Sequence, residues 1–269
     1  MARCQTTSCA RVNFLQRASM PPVSRALLAL RYLTILPMSR RCHAGLEDLG
    51  RAAPWFPVVG AALGLVLAAV DAGTGRVFPP LLAALLTVTV WKLLTGGLHL
   101  DGLADCLDGL SGRDPATRLA IMSDSRIGTF GAIGLILVLM LELAAVSELP
   151  PGTRWRTLVA APAIARATPA LLGRLFPAAR AGGQGAVFSA GLDRAAAPAS
   201  LAIALVVAVA VLGWPGVVAL AVGTASALGL GVFLAGRLGG VTGDVLGAGV
   251  ELAELAALLT VSAWAHARS

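Results

Sequence analysis

Asp101, Asp105 and Asp108, spaced by four and then three residues, stand in the segment TGGLHLDGLADCLDG from Thr95 to Gly109. At about 3.6 residues per turn, this spacing puts all three carboxylates on one face of a helix. Stacked anions repel one another, and an ionised group near a membrane core costs about 2.5–3.5 kcal/mol on insertion scales. A hard cation would offset both effects. Carboxylate oxygens suit Mg²⁺, which keeps several waters and commonly bridges to substrate phosphates. Gly96, Gly97, Gly102 and Gly109 let backbone come close to a bulky ligand. The competing reading is a solvated loop with three exposed acids. It fits poorly in a chain with only 13% charged residues.

Two further segments carry candidate site residues. In MSDSRIGTFG (122–131), Asp124 and Arg126 precede an apolar run. An arginine there can make bidentate contacts to phosphate oxygens, or anchor the start of a span by the positive-inside rule. In GGVTGDVLGAGVELAE (239–254), Gly243 and Asp244 begin a pattern in which Glu251 lies seven residues on, on the same helix face, with Glu254 one turn later. The glycines could present backbone N–H groups to phosphate. The P-loop signature GK[ST] is absent. His99 either orients a carboxylate, contacts phosphate or is a satisfied structural histidine. Arg166, inside the apolar run APAIARATPALL, needs a carboxylate or phosphate partner unless it snorkels to the interface. Lys92 is expected to snorkel from the end of its span. Gln184 and Gly185 are weak signals on their own.

These residues sit between long apolar runs. Of 269 residues, 57% are hydrophobic, and the mean hydropathy is +0.81. Soluble domains carry about 25% charged residues, so a water-soluble enzyme and a disordered chain are both excluded. Aromatic residues make up 5%, too few for the girdles of an outer-membrane barrel. The reading is an all-α, polytopic membrane bundle. Apolar stretches at about 54–72, 78–97, 131–149, 156–174, 199–214 and 216–236, with a short seventh at 250–264, predict six or seven transmembrane helices. Residues 25–38 form an amphipathic stretch expected to lie in the interface. Residues 1–23 read as a polar tail, with Met20 a candidate start, and residues 24–269 as one membrane-embedded catalytic domain.

With the N-terminus in the cytoplasm, 15 arginines fall on the inside and four (Arg76, Arg154, Arg156 and Arg268) outside. That bias explains the net charge of +7 without nucleic acid as a partner. It places the 101–124 and 239–254 segments on one cytoplasmic face. The four cysteines, Cys4, Cys9, Cys42 and Cys106, form no CxxC pair and read as free thiols. No Ser-His-Asp order or nucleophilic cysteine pattern stands out. Metal-assisted phosphoryl-group transfer, which needs positioning and charge neutralisation more than a protein nucleophile, fits best.

GGLHLDGLADCLDG, MSDSRIGTFG and GGVTGDVLGAGVELAE together resemble the cobalamin synthase (adenosylcobinamide-GDP ribazoletransferase) family. The resemblance runs from about residue 24 to 260 and includes the early RYLTILP and FPVVGAALG. It implies an Mg²⁺-dependent enzyme of the bacterial inner membrane, working at the cytoplasmic face. Its substrates would be adenosylcobinamide-GDP and α-ribazole or its 5′-phosphate, with release of GMP. Combined with the residues, it assigns Asp101, Asp105 and Asp108 to one or two Mg²⁺, with Asp124 or Asp244 completing the site. Arg126 and Arg166 neutralise phosphate. His99, Gly243 and Glu251 stand by as substrate contacts. One of the carboxylates, Asp108 among them, takes the hydroxyl proton. Membrane lipid, a second copy of the chain and other enzymes of the pathway are the further partners it suggests. A CDP-alcohol phosphotransferase is a weaker match, because Ala104 is followed by Asp105 and not by arginine. A transporter would put its charges at mid-membrane in paired, broken helices, and no paired halves are visible.

Overall fold

The computed structural model describes residues 21–36 and 48–268. Cys4, Cys9, Cys42 and the tail up to residue 20 lie outside the described residues. The described chain is helical, with one isolated β-bridge, between Ala178 and Val241.

Helix α1 (Pro22–Leu33) takes up the amphipathic stretch and buries Leu28, Ala29 and Leu33. A short helix α2 (Leu49–Ala52) and a single 3₁₀ turn lead into α3 (Phe56–Thr74). Then come α4 (Pro80–Leu94), α5 (Leu98–Gly109), α6 (Pro115–Ile121), α7 (Thr129–Glu148), α8 (Pro151–Ala165) and α9 (Thr168–Leu175). The chain closes with α10 (Gln184–Ala190), α11 (Ala196–Leu212), α12 (Trp214–Leu238) and α13 (Gly243–His266). Proline in the first turn of α3, α4, α8 and α12 fixes the backbone where no N–H partner is lost.

The all-α membrane architecture is as expected, but the number of spans is lower. Among the described residues, four helical runs are long and apolar enough to cross: Leu49–Thr74, Thr129–Glu148, Trp214–Leu238 and Gly243–His266. A fifth appears only if α4 and α5 are joined, and these are bent by 87°. The run 156–174 is broken at Arg166 and Ala167, where the helix ends and restarts, leaving α8 and α9 too short to cross. Helix α11 has 17 residues and belongs to the shorter apolar set. The segment 250–264, doubtful by itself, is the body of the 24-residue α13.

Close packing rests on small residues, as in membrane bundles generally. Gly60 and Gly64 of α3 lie directly on the backbone of α8 at Pro162 and at Leu158–Val159, leaving no room for a Cβ. Helix α13 is the central element, packed by α5, α7, α8, α9 and α12, and 72% of its apolar window is buried. The two ends of the bundle differ. At one, Arg154 pairs with Asp71 at 3.4 Å and donates to the carbonyls of Leu149 and Ser147, closing the turn between α7 and α8. At the other end meet α5, the start of α7, the loop before α10 and the start of α13.

Candidate active site

Gly96 and Gly97 adopt φ of +62° and +67°, which side chains rarely tolerate, and so turn the chain sharply out of α4. Helix α5 then runs across the end of the bundle instead of through it. Its 12 residues carry Asp101, Asp105 and Asp108, and it is not among the spanning helices. Gly102 rests on the first turn of α13: a Cβ there would lie 2.7 Å from the Asp244 carbonyl oxygen. A Cβ on Gly247 would lie 3.4 Å from the Cα of His99. One glycine on each helix therefore brings the two backbones into contact.

That contact gathers Asp101, Asp105 and Asp244. Asp101 is exposed, while Asp105 and Asp244 are half-buried. Among the described residues none of the three is in an ion pair. Burial, followed by repulsion from Asp101, Asp244 and Asp108, pushes the Asp105 carboxyl up to about 6, against an opposing pull from Arg180. Asp244 Oδ2 accepts a hydrogen bond from the Thr242 hydroxyl at 3.1 Å, and Thr242 caps α13 by accepting from the Val245 N–H at 3.3 Å. These three carboxylates have no ion-pair partner among the described residues, and they are spaced more widely than the 4.8 Å mutual reach of a preformed metal cluster.

Two cavities flank this set and share Tyr32, Leu98 and Asp101 as common wall. The first, of about 420 Å³, is closed by Phe56, His99, Arg180, Gln184, Phe188 and the Val241–Asp244 stretch. The second, of about 530 Å³, is lined by Thr34, Thr95, Gly96, Gly97, Asp105 and Arg126. Asp101 thus lies where a molecule in either cavity can reach it.

Several expected roles change. Asp108 is buried, and its two oxygens accept the backbone N–H groups of Gly128 at 2.7 Å and Gly131 at 2.8 Å. It caps the start of α7 from a neighbouring helix, and both oxygens are already engaged. That geometry gives Asp108 a structural role at the start of α7, beside the metal and proton-acceptor roles expected from its spacing. Asp124 is bound by Arg126 at 2.6 Å in an exposed pair, and that hydrogen bonding holds Asp124 down at about 2. Arg126 lines the second cavity. Asp124 positions Arg126 and does not join the carboxylate set.

Arg166 and Glu251 lie elsewhere. Arg166 is fully buried and donates to Glu254 Oε1 at 2.6 Å. Glu251 accepts from Lys92 Nζ at 2.7 Å. Neither faces the cavities, because both are drawn into a buried ion cluster. Lys92 does not snorkel: its ammonium also reaches Glu142 at 2.9 Å and Glu254 at 3.4 Å. Arg166 does not snorkel either. His99 is buried in the wall of the first cavity, with Nδ1 lacking a partner among the described residues. Gly243 lines the same cavity, against the backbone of Gly185.

Sequence reasoning missed Arg180. The bridge at Ala178–Val241, with Ala179 N–H donating to Val241 O at 2.9 Å, ties its segment to the start of α13. Arg180 thereby enters the first cavity beside Asp101 and Asp244. The only local hint was the run RAGGQG, read above for Gln184 and Gly185 alone.

Comparison with known proteins gives the chain a family. Residues 25–262 match the family described as Cobalamin-5-phosphate synthase. A relative from Geotalea daltonii, named adenosylcobinamide-GDP ribazoletransferase, is 38% identical over 88% of this chain and 96% of its own length. Relatives of the same name from Ectopseudomonas mendocina and Escherichia coli are each 40% identical. They cover 87% and 86% of this chain, and 97% and 96% of their own. No solved structure matches. The transporter and CDP-alcohol phosphotransferase readings give way, because the chain is a membrane transferase of cobalamin biosynthesis and belongs to the cobalamin-5-phosphate synthase family.

Proposed function

We propose that the protein transfers the adenosylcobinamide-phosphate group of adenosylcobinamide-GDP to α-ribazole or α-ribazole 5′-phosphate and releases GMP. A ribazole hydroxyl oxygen forms the new bond to phosphorus. The pyrophosphate P–O bond breaks, and GMP leaves with the electron pair. The hydroxyl proton passes to a carboxylate of the site.

The observation that carries this reading is the unpaired set Asp101, Asp105 and Asp244, with Asp101 on the wall shared by two cavities, Asp244 in the first and Asp105 in the second. Two substrates meeting at one phosphorus need such a shared wall. These three aspartates would hold Mg²⁺, whose contribution is to neutralise charge on the phosphoryl oxygens. Arg126 sits in the second cavity, where its guanidinium suits a phosphate oxygen. Asp108 keeps the start of α7, and with it the Arg126 loop, against α5. The site reads as cytoplasmic in a bacterial inner membrane, because the segments 98–130, 174–198 and 236–249 on its side hold seven arginines, against Arg76, Arg154, Arg156 and Arg268 on the other.

The test is GMP release by purified protein in detergent, given adenosylcobinamide-GDP and α-ribazole, with and without Mg²⁺. Wild type turns over only with the metal, and Asp105→Asn loses about hundredfold or more while remaining folded. Turnover by Asp105→Asn at the wild-type rate would remove the carboxylate–metal reading.

A further inference from the structure

The first cavity has the makings of a mononucleotide site. Its wall includes Phe56 and Phe188, which stack on one another at 5.9 Å, and Tyr32, which stacks on Phe56 at 6.3 Å. Such a wall suits a flat heteroaromatic base. Gln184, exposed at the same wall, offers an amide to the edge of that base. A volume of about 420 Å³ is at the lower end for small-molecule sites. It accepts one nucleoside with its phosphate and leaves no room for a corrin ring and its side chains.

The charge in this wall is Arg180. Its guanidinium donates to the Ser123 hydroxyl at 2.6 Å and to the Leu119 carbonyl. Both acceptors are neutral. Among the described residues no carboxylate pairs with Arg180, although Asp101 and Asp244 line the same cavity. Of the other arginines expected to meet phosphate, Arg166 is committed to Glu254, and Arg126, held by Asp124, belongs to the second cavity. A partly buried guanidinium held on neutral acceptors keeps its charge for an incoming anion.

We infer that this cavity binds a nucleoside 5′-monophosphate unit, with Arg180 contacting the phosphate and the Tyr32–Phe56–Phe188 wall receiving the base. The inference rests on the transferase reading above, which supplies two sources of that chemistry: the GMP half of the donor, and a phosphorylated ribazole acceptor.

The experiment measures binding of GMP, guanosine, α-ribazole 5′-phosphate and α-ribazole by equilibrium dialysis against the full-length protein in detergent, without turnover. Wild type, Arg180→Ala, Arg180→Lys and Ser123→Ala are compared. In the wild type, one phosphorylated ligand binds more tightly than its nucleoside. Arg180→Ala weakens that ligand by about tenfold to a hundredfold and leaves the nucleoside unchanged. Arg180→Lys recovers part of the loss. Ser123→Ala removes one of the two acceptors that hold Arg180 but keeps the guanidinium, and weakens the phosphorylated ligand by less than Arg180→Ala does. Loss confined to GMP assigns the cavity to the donor, and loss confined to ribazole phosphate assigns it to the acceptor. Equal phosphate preference in wild type and Arg180→Ala overturns the inference, as does a Ser123→Ala loss matching that of Arg180→Ala. Phosphate-selective binding through Arg180 without Mg²⁺-dependent GMP release would refute the proposed reaction and keep the cavity assignment. Turnover with an unchanged KM for both substrates in Arg180→Ala would do the reverse.

Discussion

Asp101, Asp105 and Asp244 at the mouth of the bundle, and Glu142, Glu251 and Glu254 in its interior, are both clusters of three carboxylates. Both draw on α13. The interior oxygens lie within 4.8 Å of one another, close enough to hold a metal ion. Lys92 stands there instead, at 2.7 to 3.4 Å from all three residues, and Arg166 adds a second cation at Glu254. The mouth set has no ion-pair partner among the described residues, and Arg180 acts on Asp105 and Asp244 only from beyond salt-bridge distance. The difference shows that donor geometry alone does not make a metal site. What matters is whether the fold already neutralises the charge, and a buried cluster must do so because desolvated charge is expensive to leave unpaired.

The largest effect that tests this contrast comes from Lys92→Met. It leaves three buried carboxylates facing one arginine, a change of the kind that costs about 3–5 kcal/mol. The variant should lose its cooperative thermal transition in detergent, or show it many degrees lower. Added Mg²⁺ should not restore it if the interior is purely structural. Recovery of the wild-type transition by Mg²⁺ would show that the interior cluster can be a metal site after all.

The mouth should behave in the opposite way. Asp105→Asn removes one of three mutually repelling acids and should leave the metal-free melting temperature equal to wild type or higher. Saturating Mg²⁺ at about 100 times its Kd should stabilise wild type by about 2.7 kcal/mol, and the variant by clearly less. A variant stabilised as much as wild type would take Asp105 out of the metal set.

Much of this contrast was legible in the sequence, but not its assignment. The four-residue step from Asp101 to Asp105 fixes a shared helix face, and the Thr242-Gly243-Asp244 run reads correctly as a helix start. Asp108 satisfies the same periodicity, yet its partners are the N–H groups of Gly128 and Gly131, and backbone donors leave no mark on a residue pattern. Lys92, Arg166 and Glu251 were unpaired on paper because their partners lie 50 to 162 positions away along the chain. Arg180 reaches the site through a two-bond backbone bridge, which no periodicity encodes. The apolar run 156–174 hid its break for a related reason: hydropathy does not record that α8 ends at Arg166 so that the guanidinium can reach Glu254.

Acidity gives a smaller test of the mouth. With the metal-free Asp105 carboxyl pushed up to about 6, its proton competes with the metal below that pH and not above it. Mg²⁺ affinity should therefore be level from about pH 7 upward and fall by up to about tenfold per unit below pH 6. Asp105→Asn should flatten that slope. An affinity independent of pH between 5 and 7 would mean that Asp105 does not exchange its proton for the metal.

The smallest effect belongs to Glu142→Gln, and it probes how the interior balances its charge. Three carboxyl groups share two cations there. Glu142 is the member with least to lose. Its Oε1 accepts from Lys92 at 2.9 Å, while Oε2 has no partner among the described residues. Glutamine keeps the acceptor oxygen and replaces the idle one with an amide. Its unfolding free energy should stay within about 1 kcal/mol of wild type. Glu254 is the counter-case, since it accepts from both Lys92 and Arg166, and Glu254→Gln would leave a fully buried guanidinium without an anion. It should cost about 3–5 kcal/mol. If the two glutamine variants proved equally stable, the interior would not be organised by pairing, and the line drawn between the two carboxylate clusters would have to rest on burial alone.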